Sequence, residues 1–226
     1  MELRFVPLLC CILLFSFAPL SAQADLPPGT GTSPRLESGA VLRFRSLPDG
    51  QTDGGASTTL LRGERGDEEG RSMALSFEEP DAEPATDDSQ AVDYLVIDTG
   101  ERIRRNWLEP GVIWGVHHLA LRDSVDRGAF ESFIHRYWAP TRADALPDSK
   151  LIFLKALTGP RAGEFSYVWL IDSEETRDYY FPKSEVPSKM YTEFEKGWSW
   201  INGDEHLGKF LAAPEDAEFT DYVVIK

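Results

Sequence analysis

The ten residues from Val112 to Leu121 contain no Asp, Glu, Lys, Arg or Pro, and Gly115 is their only glycine. Successive side chains of a strand point to opposite faces, so a run that is apolar at odd and even positions alike needs cover on both sides. Whatever this chain folds into must place a layer on each face of that strand. The chain can supply such layers, because 226 residues with 42% apolar and 12% aromatic content are enough for one well-filled core plus a tail.

The charge balance narrows the partners. Thirty-eight acids against 23 bases leave a net charge of −15, which repels a phosphate backbone and argues against nucleic acid. Much of the excess is local: from Glu64 to Gln90 there are ten acids and two bases.

Residues 1–24 read as an export signal. Arg4 lies in a short polar start, Phe5 to Leu20 form an apolar segment, and Ala22-Gln23-Ala24 supplies the small-x-small cleavage pattern. Pro7 and Pro19 interrupt the segment and no basic stop-transfer cluster follows, so no membrane span is expected after cleavage. The mature protein is expected in the periplasm or outside the cell. Cys10 and Cys11 are the only cysteines. Their loss with the signal excludes a disulfide framework, a thiol nucleophile and a Cys-ligated metal. Residues 25–90, rich in Gly, Pro, Ser, Thr and acids, read as an acidic low-complexity linker. Its apolar islands, Val41 to Phe44 and Met73 to Phe77, could add edge strands to the folded part. The acids lack the alternating spacing and central Gly of a calcium loop.

Residues 91–226 read as the folded domain. Tyr94 to Ile97 and Arg102 to Arg104 predict a hairpin about Asp98-Thr99-Gly100. The doubly buried strand at 112–121 follows. Next comes a helix whose apolar positions Phe130, Phe133, Ile134, Tyr137 and Trp138 form one aromatic stripe, with Asp126 as N-cap and Pro140 as terminator. Lys150 to Leu157 and Glu164 to Ile171 predict two strands joined by a Gly/Pro loop. Asp172-Ser173-Glu174-Glu175 opens a short helix ending near Pro182, and a further helix from Pro187 carries Met190, Tyr191, Phe194 and Trp198. Phe219 to Ile225 closes the series. The order strand, helix, strand, strand, helix, strand predicts an α+β fold, a ferredoxin-like split β-α-β with an antiparallel four-stranded sheet. Such a sheet leaves one apolar face open, which predicts a homodimer.

His118-Leu119-Ala120-Leu121-Arg122-Asp123 resembles the first-strand His and alternating apolar residues of the stress-responsive A/B-barrel proteins. Val112 to Lys226 as a whole resembles the dimeric α/β-barrel superfamily to which they belong. The resemblance implies two ferredoxin-like units joined through their sheets. It also implies kinship with polyketide cyclases, cofactor-free monooxygenases and haem-binding enzymes. The second His that these relatives carry in a Tyr-x-x-His-Pro type motif is missing from Asp178-Tyr179-Tyr180-Phe181-Pro182.

His117 and His118 are strand neighbours and face opposite ways, so they cannot chelate one metal together. His118 shares a face with Trp114 and Val116 and is the general acid/base candidate, with Tyr167 or Tyr179 to orient a substrate. A purely structural His118, bonded to a carbonyl or carboxylate, is the alternative. His135 flanks the aromatic stripe and would be the axial ligand if haem were bound. His206, after Asp204 and Glu205, looks like capping. Trp114, Tyr137, Trp138, Trp169 and Tyr180, with Tyr167 and Tyr179, could stack on a flat ligand or simply fill the core. Phosphate loops, a nucleophile elbow and His/carboxylate zinc motifs are absent from the sequence. The expected protein is an exported homodimer that binds a small apolar or aromatic molecule and needs no cofactor or metal. Its alternatives are a cofactor-free monooxygenase or cyclase, a haem enzyme, and a non-catalytic dimerisation module.

Overall fold

Alternation builds the early strands. In β1 (Val41–Leu47) Leu42 and Phe44 are buried while Arg43 and Arg45 turn outward, and in β4 (Ala91–Val96) Tyr94 and Val96 are buried beside the outward Asp93. Across that pair Arg43 Nε donates to Asp93 Oδ1 at 2.7 Å, so ion pairing covers the outside where no helix does. Between them lie β2 (Thr59–Gly66) and β3 (Ser72–Glu78). These strands belong to a computed structural model that describes residues 36–48, 58–78, 90–100, 102–103, 105–182 and 186–225. The segment 1–24 that reads as an export signal, with Cys10 and Cys11, lies outside the described residues.

The later strands are β5 (Ile113–Leu119), β6 (Ser149–Ala156), β7 (Phe165–Ile171) and β8 (Phe219–Val224). All eight pair antiparallel into one closed wall, β1-β3-β2-β8-β5-β7-β6-β4. One buried cluster takes residues from every strand, among them Leu61, Leu75, Trp114, Ile152, Val168 and Tyr222. It fills the barrel interior. Closure removes the unpaired strand edges that an open sheet exposes. A bulge between Gly63 and Arg65 bends β2 against β8.

The expected fold class, a ferredoxin-like split β-α-β with a four-stranded sheet, is therefore corrected: the wall is a closed eight-stranded antiparallel barrel. Three of its strands, β1, β2 and β3, come from the stretch read as an acidic linker, and both apolar islands lie inside β1 and β3. The expected hairpin to Arg102–Arg104 is also corrected. Strand β4 pairs with β1 and β6, and residues 102–103 are not in a strand. Around the wall the late strands run β8-β5-β7-β6 and the early ones β4-β1-β3-β2, so each half repeats the order fourth, first, third, second. The chain's own early strands cover the apolar face that was expected to need a partner.

Among the described residues only the late half carries helices. They are α1 (Arg127–Phe133), α2 (Ala139–Arg142), α3 (Glu174–Tyr180), α4 (Lys189–Trp200) and α5 (Gly203–Gly208). Asp126 accepts from the amides of Gly128 and Ala129, Ser173 from that of Thr176, and Ser188 from that of Tyr191, so three polar side chains start three helices. A second cluster lies between these helices and the outer faces of β5 to β8, holding Phe130, Trp138, Phe153, Tyr167 and Trp169. Strand β5 is thus covered on both sides. Pro140 does not end the first helix. A π turn over Ile134–Trp138 precedes it, and the helix resumes with Pro140 in the first turn of α2. A proline within an α-helix meets the carbonyl four residues back. The wider turn displaces that carbonyl and puts Pro140 where a missing N–H costs little. The same turn shifts the stripe: Phe130, Phe133, Ile134 and Trp138 are buried, while Tyr137 is 53% exposed. Among the described residues no helix is long and apolar enough to cross a membrane.

Candidate ligand-binding site

A cavity of about 700 Å³ opens between the helices and the outer face of the late strands. Its floor is His117 of β5, Tyr167, Trp169 and Ile171 of β7, and Phe219 and Asp221 of β8. Phe181, Tyr191, Leu207 and the 211–216 loop form the opposite side. Gly115 leaves room for the Asp221 side chain on that floor. It pairs with Trp169 on one side and Asp221 on the other, and a Cβ there would come within 3.0 Å of Asp221 Oδ1.

Arginines supply the cationic part of the lining. Arg142, placed by the resumed helix after Pro140, is 6% exposed. Its Nη1 donates to Glu195 Oε1 at 2.8 Å, and its guanidinium carbon lies 4.3 Å from the Phe194 ring centre and 4.4 Å from that of Trp198. The two rings hold the guanidinium in place. Arg65, just past the β2 bulge, donates through Nη1 to the Phe181 carbonyl at 2.8 Å and through Nη2 to Asp178. Arg177 Nε donates to Asp178 at 2.9 Å and lies 3.8 Å from Asp221 Oδ2. Three buried nitrogens of this lining, Arg65 Nε, Arg142 Nε and His117 Nδ1, have no hydrogen-bond partner among the described residues. A buried donor left unsatisfied costs about 1–3 kcal/mol, so the two arginine N–H groups in one cavity mark a place prepared for acceptor atoms.

Burial controls the titrating groups. It pushes His117 down to about 4, against a hydrogen bond to the Glu215 backbone. The ring lies between Tyr167 at 4.4 Å and Phe219 at 5.4 Å, stacked on both, and is neutral at pH 7. Burial pushes the Glu215 carboxyl up to about 7, with Arg142 opposing and Glu195, Asp204 and Asp216 reinforcing. Asp221 is also raised by burial, against the pull of Arg177 and Arg65. Tyr167 and Tyr191 are raised by burial too and stay protonated.

The residues singled out in the sequence divide among several places. Tyr167 and Trp169 line the cavity, and Trp138 backs Tyr167 at 5.3 Å. His118 lies on the other side of the wall, as its shared face with Trp114 and Val116 predicts. There it borders a smaller barrel-mouth cavity of about 220 Å³ with Tyr94, Arg161 and Tyr222. Its Nδ1 is 2.8 Å from Ser166 Oγ, and burial, aided by Arg161 and His117, pushes it down to about 3. Tyr179 is 54% exposed. His118, Tyr167 and Tyr179 are therefore not brought together. Trp114 is inside the barrel, where its Nε1 donates to the Trp107 carbonyl at 2.8 Å. Tyr180 is buried and donates to the Pro147 carbonyl at 2.8 Å. Tyr137 and His206 stack on each other at the surface. His135 is exposed and lines neither cavity, so a haem held by it would be left unenclosed and does not fit. Among the described residues no group of three His, Cys, Asp or Glu side chains could hold a metal ion.

Sequence reasoning missed Arg65, Arg142, Arg177, Glu215 and Asp221. Asp221 alternates with buried Thr220 and Tyr222 on a strand and could have been placed on the helix side. The rest sit at a bulge, after a proline, on a short helix and in a loop, where periodicity carries no facing information.

No family model and no curated protein sequence matches this chain. A solved structure, that of a candidate monooxygenase from Lactobacillus acidophilus NCFM, is similar with a TM-score of 0.38 at 9% identity, covering 83% of this chain and 94% of that one. At that overlap the likeness bears on neither the activity nor the ligand of this chain.

Proposed function

We propose that the protein binds a small aromatic molecule bearing acceptor oxygens in the cavity between the helices and the barrel wall. One observation carries this reading: two buried arginine N–H groups without partners, at Arg65 Nε and Arg142 Nε, border an aromatic-walled cavity of about 700 Å³. Cavities of about 300–1,000 Å³ with apolar walls and a few convergent polar groups are the usual form of small-molecule sites. Trp169, Tyr167, Tyr191 and Phe219 offer ring faces, and the arginines offer donors to a carboxylate, carbonyl or phenolate oxygen. With residues 1–24 read as an export signal, the ligand is met in the periplasm or outside the cell.

Titration calorimetry of the full chain with 2-naphthoate tests the reading. One equivalent is expected to bind, and Arg142→Gln or Arg65→Gln to weaken it about tenfold or more, the loss expected of a charge-assisted hydrogen bond. His118→Asn, at the barrel mouth, is expected to leave the affinity unchanged. Binding that is absent, or that survives both arginine changes but is lost with His118→Asn, contradicts it.

A further inference from the structure

We propose that this cavity is also a site of proton transfer, in which the Glu215 carboxylate removes and returns a proton on an aromatic α-keto acid, with Arg142 facing the oxygen that gathers charge. The proposal rests on the reading of the cavity as an aromatic-ligand site and adds a reaction to it.

The geometry singles out Glu215 among the lining carboxyls. Asp204 is engaged by Trp198 Nε1 at 2.7 Å, Asp221 faces Arg177 Nε at 3.8 Å, and Asp216 is exposed where Glu215 is half-buried. No hydrogen bond or ion pair is formed by the Glu215 side chain among the described residues. The loop bearing it is held to the floor by the hydrogen bond between the His117 ring and the Glu215 backbone. Groups from several surrounding elements act on this carboxyl or are acted on by it: Arg142 of α2, Tyr191 and Glu195 of α4, Asp204 of α5, Tyr167 of β7, and the adjacent Asp216, while His117 of β5 meets its backbone. Arg142 is the only cation among them, and its Nε still lacks an acceptor.

That pairing suits enolisation. The carboxylate takes a proton from the carbon beside the ketone, and the C–H electron pair becomes the C=C bond. The carbonyl pair moves to oxygen, where the guanidinium offsets the charge. The Glu215 acid then returns the proton to carbon, or to oxygen to release the enol. Atoms and electrons balance with no oxidant or cofactor. A carboxyl that burial lifts to about 7 is half ionised at neutral pH and basic enough to compete for such a proton. The substrate class follows from the walls: an aromatic ring for Trp169 and Tyr191, and a carboxylate for the free donor of Arg65.

Phenylpyruvate is the probe. The full chain is incubated with it in D2O, and loss of its methylene protons is followed by proton NMR beside calorimetric binding. The wild type is expected to exchange these protons well above the buffer rate, with a rate that rises with pH through an inflection near 7. Glu215→Gln should lose about 100-fold in exchange, the lower end of what a positioned base contributes, while still binding phenylpyruvate within about threefold. Glu215→Asp should keep part of the exchange. Wild-type protein that binds phenylpyruvate but exchanges no faster than buffer overturns the proposal, as does Glu215→Gln exchanging at the wild-type rate. If neither phenylpyruvate nor 2-naphthoate binds, the reading of the cavity itself fails, which is a separate result.

Discussion

Single side chains set the chemistry of this protein through burial more than through pairing. His117 and His118 sit on opposite faces of one strand, and both are driven neutral by lost hydration. The alternation of β5 made their opposite facing legible in advance, but not which face held the larger cavity. That depended on where the helices and the 211–216 loop came to rest. The titration shifts have opposite consequences for stability. Each histidine binds a proton near 6.5 when unfolded and only near 4 or 3 when folded, so between those values the unfolded chain holds more protons and stability falls as pH drops. Glu215 runs the other way. Its folded carboxyl stays protonated up to about 7 against 4.5 when unfolded, so its contribution is present below 4.5 and is lost as pH rises through 7. Thermal unfolding across pH 4 to 8 should therefore show Glu215→Gln gaining on the wild type at the alkaline end and little at pH 4.5. Equal gains at both ends would contradict the half-buried, raised carboxyl.

Elements follow local rules where those rules are strong. The N-caps at Asp126 and Ser173 and the strands near 150–156 and 165–171 were legible because caps and alternation act within a few residues. β1 and β3 were only partly legible. Their apolar residues are few per strand, and acidic turn-rich sequence on either side lowers the average over any longer window. The π turn was not legible at all, since a helix absorbs one extra residue without a sequence mark, and so Tyr137 was wrongly placed in the stripe. The hairpin between β2 and β3 offers a test of how closely the wall is packed. Gly66 has φ +91°, and a Cβ there would fall 2.1 Å from the Phe219 carbonyl, whereas Gly70 has φ +83° with nothing within 4 Å. Gly66→Ala should cost more than about 2 kcal/mol in urea unfolding and Gly70→Ala only about 1 kcal/mol, the left-handed backbone penalty alone. Similar costs at both positions would mean that β2 and β8 do not approach as described.

For the whole molecule, the doubly buried strand was the soundest constraint, and it is met by a barrel core on one side and a helical layer on the other. What could not be read was the source of the inner cover. A partner subunit and four more strands of the same chain satisfy the same apolar face, and short alternating strands in an acidic context do not announce themselves. Closure within one chain has a functional consequence. Apolar side chains pack the barrel interior and leave about 220 Å³ at its mouth, so the larger space, about 700 Å³, lies outside the wall, under the helices. The described helices, lying over the late half of the wall, also put the cavity on that side. Hydrogen-exchange mass spectrometry of the full chain with and without saturating 2-naphthoate reads that placement directly. Slowed exchange is expected in β5, β7, β8, α2 to α5 and the 203–216 segment, with β1, β3 and β4 unchanged. Protection confined to β1, β3 and β4, or to the barrel mouth around Tyr94 and Arg161, would contradict the account.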